Sequence, residues 1–175
     1  NINIITDMGI VFVGSAGNDG REVKSYPAAY DNVIAVAATD KNNNPCDFSN
    51  FGNYVDIAAP GYFTAYSATS GSNAPNYTYY QGTSYSAPIV ASAAAVVLSE
   101  HGGYTFEQVK SKLMSSAVPF REKDRNKKYG KGIVNFSNTV NNSRCKEIKA
   151  NYSSGVYNER INVSLSCDNT LVDII

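Results

Sequence analysis

Gln81-Gly82-Thr83-Ser84-Tyr85-Ser86-Ala87-Pro88 runs straight into the apolar stretch Ile89 to Leu98, and the two together decide how the chain is read. The glycine permits a tight turn, and the serine two places on reaches the first turn of a helix. Pro88 has no N–H and is tolerated only near a helix start, which puts that start close to Ser84. Ala91, Ala93, Ala94, Val96 and Val97 give the helix almost no polar face, so it is expected to be sunk in a core. A serine at a helix N-terminus has unpaired backbone donors and the positive end of the dipole beside it. For an arbitrary serine before a helix, plain N-capping is the ordinary reading, and only the rest of the chain can displace it.

Upstream lie three short apolar runs rich in β-branched residues or alanine: Ile10 to Val13, Val33 to Ala38, and Val55 to Ala58. Continuous apolar runs of this length suit strands buried on both faces of a parallel sheet. The first ends in Gly14-Ser15-Ala16-Gly17-Asn18-Asp19-Gly20, whose small residues let a ligand approach the backbone, although Gly-Asn-Asp-Gly alone is an ordinary turn. Asp40 to Asp47 is a polar loop, Phe48 to Gly52 a turn, and Tyr62 to Tyr80 loops or a polar hairpin. Downstream of the serine helix, which should end near His101, Thr105 with Gln108 forms a capping box. Phe106, Val109, Leu113 and Met114 then repeat at helical spacing on a second, amphipathic helix. Tyr129 to Phe136 reads as a glycine turn into a short strand; its Gly130-Lys131-Gly132 lacks the spacing of a phosphate loop.

Composition narrows the function classes. The 175 residues are 43% hydrophobic and 17% charged, enough apolar material to bury a core. Lys and Arg number 15 against 15 Asp and Glu, so nucleic-acid binding has no electrostatic support. The longest apolar run, Ala87 to Leu98, is too short to span a bilayer. Three cysteines, Cys46, Cys145 and Cys167, make no disulfide framework, though the last two could pair; no CxxC or His/Cys cluster suggests zinc. Both ends read as cut, with the last turns of a helix before Gly9 and a strand-like run at Val172 to Ile175, so a fragment is expected.

From Cys145 onward the pattern changes. Ile161, Val163, Leu165 and Cys167 alternate with polar residues, the period of a half-buried strand, and Asp168 to Thr170 turns the chain into a second. The expectation is an α/β domain over residues 1–142 and the start of an incomplete all-β unit over 143–175, with the boundary between Asn142 and Lys149.

Gly82-Thr83-Ser84-Tyr85-Ser86-Ala87-Pro88 resembles the nucleophile signature of the subtilisin-like serine proteases. Val11 to Gly20 resembles that family's strand and oxyanion-asparagine loop, and Tyr26 to Val36, Phe48 to Gly61 and Tyr129 to Phe136 resemble its neighbouring segments in the same order. The similarity runs from about Ile2 to Val140. It implies the parallel-sheet, three-layer subtilisin-like α/β fold, here incomplete, and a serine endopeptidase acting on peptides or proteins. Ser84 would be the nucleophile and Asn18 the side-chain oxyanion donor. Ser15, Ala16, Gly17 and Thr83 would border the substrate. No cofactor is required for the chemistry; a structural cation such as Ca2+ would be held by the backbone carbonyls of Ala28, Tyr30 and Val33. Tyr85, Ile89 and Ser92 depart from the family's usual Met, His and Gly. Tyr85 would alter the packing directly behind Ser84.

A nucleophilic serine needs a general base, and the base an orienting carboxylate. The chain's one histidine, His101, lies 17 residues along the same helix, ~25 Å away at 1.5 Å per residue. It reads as a helix C-terminal residue favoured by the dipole. In the family's order, Asp, His, Ser, the first two precede the oxyanion asparagine, so they are expected upstream of Asn1 and the isolated chain is expected to be inactive. An α/β-hydrolase fails as a rival, because its Gly-x-Ser-x-Gly elbow and a later Asp and His are absent. A pseudoprotease that kept the fold as a binding or regulatory protein remains the alternative. The tail weakly resembles small sandwich domains appended to bacterial surface enzymes, which would suit an exported, extracellular or cell-surface protein; an adhesive β module is the third reading.

Overall fold

A computed structural model describes residues 2–66, 77–140, 148–150, 163–167 and 170–174. The chain opens with helix α1 (Ile2–Asp7), closed by Gly9 at φ 81°, and enters strand β1 (Val13–Ser15). Strands β2 (Ile34–Thr39) and β3 (Ile57–Pro60) follow, then β4 (Tyr62–Tyr66) and β5 (Tyr77–Gln81). The long helix α2 (Thr83–Glu100) precedes α3 (Phe106–Ser116), α4 (Lys123–Tyr129) and α5 (Phe136–Thr139). The described part of the tail holds β6 (Ile148–Ala150), β7 (Val163–Cys167) and β8 (Thr170–Ile174).

β1, β2 and β3 form a parallel sheet in that order, with Val13 opposite Ile34 and Val36 opposite Ile57. β2, the middle strand, is buried along its whole length, as its unbroken apolar sequence requires. Ile34, Val36, Ile57 and Ala59 pack on one face against Val90, Ala93, Ala94 and Val97 of α2 and Phe106, Val109 and Leu113 of α3. Ala37 and Ala58 turn to the other face, with Ala16, Val55 and Phe120. Each fully buried valine or leucine in such a layer contributes roughly 1.5–3 kcal/mol. α3 is started by Thr105, whose hydroxyl accepts from the Gln108 N–H while the Gln108 side chain accepts from the Thr105 N–H.

Several elements sit differently from the sequence expectation. β1 begins at Val13 rather than Ile10, because its ladder starts where the Phe12 carbonyl meets the Ile34 N–H at 2.8 Å. β3 begins two residues late, because Asp56 spends its N–H and carboxylate on the Ala35 peptide group. α2 is not sunk all round: Ala91, Ser92 and Ala95 are exposed, since alanine favours a helix without saying which side packs. The strand expected after Gly132 is reduced to single bridges from Ile133 to Ala58 and Val118, and Phe136 opens a short helix. Of the two readings open for Tyr62 to Tyr80, the structure shows the hairpin, with β4 antiparallel to β5 and residues 67–76 outside the described set.

The chain divides into two compact units, Asn1–Thr139 and Val140–Ile175. In the second, β6, β7 and β8 form an antiparallel sheet in that order. The suggested pairing of Cys145 with Cys167 lies outside the described residues and side chains. Cys46 is a free, buried thiol, pushed up to about 12 by burial with help from Asp40 and Asp47.

Candidate active site

The loop after β1 and the start of α2 meet at the carboxyl edge of the parallel sheet, the edge at which open α/β sheets bind ligands. Gly82 makes the turn into α2 at φ 151°, ψ 153°, a region essentially closed to residues with a Cβ. Its N–H donates to the Gly61 carbonyl at 2.9 Å, and the Gly61 N–H donates to Thr39 at 2.9 Å. The buried Ser86 hydroxyl donates to the Pro60 carbonyl at 3.2 Å. The start of α2 is thereby fastened to the ends of β2 and β3. Ser84, the second residue of α2, is exposed, and no partner for its hydroxyl occurs among the described residues. Pro88 falls in the second turn, so the Ser84 carbonyl receives no helical bond from residue 88.

Asn18 is exposed on the facing loop, and its amide is held by one end. Asn18 Oδ1 accepts from the Thr83 N–H at 2.9 Å and from Thr83 Oγ1 at 2.9 Å. A backbone N–H can only donate, so the atom facing it is the oxygen and the opposite end is the NH2 donor. Thr83 Oγ1 in turn accepts from the Gly17 N–H at 3.2 Å. The position a Cβ on Gly82 would occupy is 3.6 Å from Asn18 Nδ2 and 3.8 Å from the Ser84 nitrogen. Two donors from segments 65 residues apart therefore border one small volume beside the Ser84 backbone.

The remaining predicted residues separate into those near this volume and those turned away. Gly17 and Ser15 are half-buried in the loop after β1. Ala16 is fully buried, its methyl in the core cluster and its carbonyl accepting from Tyr54 Oη at 2.8 Å; that hydroxyl is pushed up to about 12 by burial and by Asp19. Thr83 is fully buried as well, with its hydroxyl committed to Asn18 and Gly17 rather than turned outward. The Tyr85 ring packs edge-on against Phe63 at 4.6 Å and leans on Tyr80 at 5.9 Å, both residues of the β4–β5 hairpin. His101 caps the far end of α2 and stacks on Tyr104 at 4.5 Å.

In the sequence, Asn50 reads only as part of the turn Phe48 to Gly52. It is fully buried, and it grips the Asn18 loop. Its N–H donates to the Gly17 carbonyl at 2.9 Å, its Oδ1 accepts from the Asp19 N–H at 2.8 Å, and its Nδ2 donates to Asp19 Oδ2 at 3.0 Å.

Two of the three carbonyls suggested for a cation, those of Tyr30 and Val33, accept hydrogen bonds within the protein. Tyr30 O accepts from the Val33 N–H at 3.1 Å, and Val33 O accepts from Lys110 Nζ at 3.4 Å. That ammonium also reaches Asp31 O at 3.5 Å and pairs with Asp56 Oδ1 at 2.9 Å, both side chains being largely buried. A metal ion on the Val33 carbonyl would stand beside an ammonium, so these residues fit one poorly. Burial pushes the Asp56 carboxyl up, against the bonds from Lys110 and Ala35 that pull it down. Among the described residues no group of three or more His, Cys, Asp or Glu is placed to hold a metal ion, and no helix is long and apolar enough to cross a membrane.

Residues 1–138 match the model of the subtilase family, Peptidase_S8. This chain belongs to the subtilase family. Subtilisin BL from Lederbergia lenta is 38% identical over 134 residues, covering 77% of this chain and 47% of its own length. Subtilisin DY from Bacillus licheniformis is 42% identical over 131 residues, covering 73% and 45%. Among solved structures, a protease from Pseudoalteromonas arctica superposes with a TM-score of 0.68 at 30% identity, covering 79% of this chain and 44% of its own. The subtilase chain thus has the α/β subtilisin-like fold and spans about half the length of the curated relatives it matches.

Proposed function

We propose that this chain carries the nucleophile and the oxyanion-binding groups of a serine endopeptidase. Ser84 Oγ attacks the scissile carbonyl of a peptide or protein, the leaving amine departs from a tetrahedral intermediate, and water then hydrolyses the acyl-Ser84 ester. The negative charge that develops on the carbonyl oxygen takes hydrogen bonds from the Ser84 N–H and from Asn18 Nδ2. One observation carries this reading: Thr83 consumes the oxygen end of the Asn18 amide, which leaves the NH2 end beside the Ser84 N–H. A fixed donor of this kind stabilises the transition state by about 3–4 kcal/mol. Ser15 and Gly17 line the substrate side through backbone and small side chains. The general base and its carboxylate come from polypeptide outside these residues, because His101 lies at the opposite end of α2. We place the protein outside the cell or on its surface, in keeping with the resemblance of its tail.

A fluorophosphonate probe tests the assignment. In the intact protein it is expected to label Ser84, and Ser84→Ala is expected to abolish both labelling and peptide hydrolysis. The 175-residue chain alone is expected to remain unlabelled. An intact protein that neither reacts nor hydrolyses peptides would establish the non-catalytic, binding role instead. Brisk labelling of the isolated chain would place the base among these residues.

A further inference from the structure

We infer that Asn50 is a positioning residue that sets the direction of the Asn18 amide, an inference that rests on the oxyanion reading of Asn18. Asn18 lies in an exposed loop, so the two Thr83 bonds to its amide oxygen form only while the backbone that carries the side chain is itself held in place. Its two flanking peptide groups are both held by one buried side chain and its backbone. The Asn50 N–H fixes the carbonyl of Gly17 before it, and Asn50 Oδ1 fixes the N–H of Asp19 after it. The polarity is forced, because the Asp19 N–H must donate; Asn50 Nδ2 is then left to donate to the Asp19 carboxylate, an acceptor only. No other uncharged side chain of this length offers one acceptor and one donor in that arrangement.

Gly17 belongs to the same clamp. It adopts φ 105°, and a Cβ on it would run into the Asn50 amide, so a side chain at position 17 and an amide at position 50 exclude each other. The clamp is anchored below. The buried Ser49 hydroxyl accepts from the Ala38 N–H of β2 at 3.0 Å and donates to the Asn50 carbonyl at 3.1 Å. The Gly20 N–H donates to the Phe48 carbonyl at 2.8 Å, closing the loop's far end on the same tripeptide. A continuous set of bonds thus runs from the middle strand through Ser49 and Asn50 to both sides of Asn18, and from Asn18 to Thr83. Asn50 touches no substrate atom; it acts by removing the freedom of the residue that does.

The experiment is a double-mutant cycle in the intact protein that contains these residues, with kcat and KM measured on a short peptide substrate. Asn50→Ala is expected to lower kcat about 10- to 100-fold with KM changed less than about threefold, the mark of an interaction made in the transition state. In the Asn18→Ala background the same substitution is expected to change kcat less than about threefold, since there is no amide left to aim. Asn50→Asp combined with Asp19→Asn reverses the side-chain bond while keeping the acceptor for the residue 19 N–H. That pair is expected to recover most of the kcat lost in Asn50→Asp alone. An equal fall in kcat from Asn50→Ala with and without the Asn18 amide would overturn the inference and leave Asn50 a residue of general stability. An unchanged kcat in Asn18→Ala, or an inactive parent, would instead overturn the oxyanion reading and the inference with it.

Discussion

The two edges of the parallel sheet solve the same physical problem by opposite means. At the amino edge, where β2 and β3 begin, the exposed ends of peptide groups are satisfied by a charge pair. Lys110 Nζ meets Asp56 Oδ1 at 2.9 Å and the carbonyls of Asp31 and Val33, while Asp56 Oδ2 takes the Ala35 N–H at 2.9 Å. At the carboxyl edge, the loop after β1 is held by neutral groups, the amides of Asn18 and Asn50 and the hydroxyl of Thr83, with Asp19 at its rim. A neutral hydrogen bond adds about 1 kcal/mol net, whereas breaking one side of a buried ion pair costs about 3–5 kcal/mol. The amino edge is thus built for stability and leaves little unspent. The carboxyl edge keeps two donors, Asn18 Nδ2 and the Ser84 N–H, and one hydroxyl in reserve.

Replacing Lys110 breaks the contrast hardest. Lys110→Met is expected to cost about 3–5 kcal/mol of unfolding free energy, read by denaturant titration, because it strands the Asp56 carboxylate. Asp56 is already held above the ordinary carboxyl value by burial, and losing the ammonium raises it further. The folded state then binds the proton more tightly than the unfolded one. The deficit should be full at neutral pH and shrink as pH falls toward about 3.9, the unfolded carboxyl value. Per-molecule kcat at neutral pH should not change; a large fall would show that the edges are coupled. Asn18→Ala makes the converse case, with a loss of about 10²- to 10³-fold in kcat and a melting temperature that barely moves. Thr83→Val removes one hydroxyl at constant volume, freeing the Gly17 N–H and one bond to Asn18. About a tenfold loss of kcat is expected, from a loss of roughly 1–2 kcal/mol. Cys46 should give the smallest effect: buried and pushed up to about 12, it should resist a thiol reagent at pH 8 until the protein unfolds.

The same division explains what could be read in advance. The α2 start, the capping box of α3 and the buried β2 are local patterns, and Gly82, Pro88 and Thr105 declare them within a few residues. The roles proposed for Ser84 and Asn18 rest on resemblance, since a serine before a helix and an asparagine in a turn are common. Asn50 is invisible to a local reading because its bonds reach back 31 residues, and a polar residue inside Phe48 to Gly52 looks like any turn. The substrate-side expectation for Thr83 rests on resemblance; only the tertiary contact with Asn18 reveals that its hydroxyl faces inward. The ion pair was equally hidden, because Lys110 on an amphipathic helix reads as a solvated charge until Asp56 is brought beneath it.

The 65-residue separation between Asn18 and Thr83 also bears on how such a chain survives its own synthesis. A polypeptide that cuts polypeptides is surrounded by substrate while it folds, itself included. The two donors assigned to the oxyanion, Asn18 Nδ2 and the Ser84 N–H, come together only where β1, β2 and β3 are paired and α2 is docked on them. On the proposed reading, cleavage chemistry would lag behind packing, and a half-folded molecule would be a poor enzyme at the moment when it is most vulnerable to one.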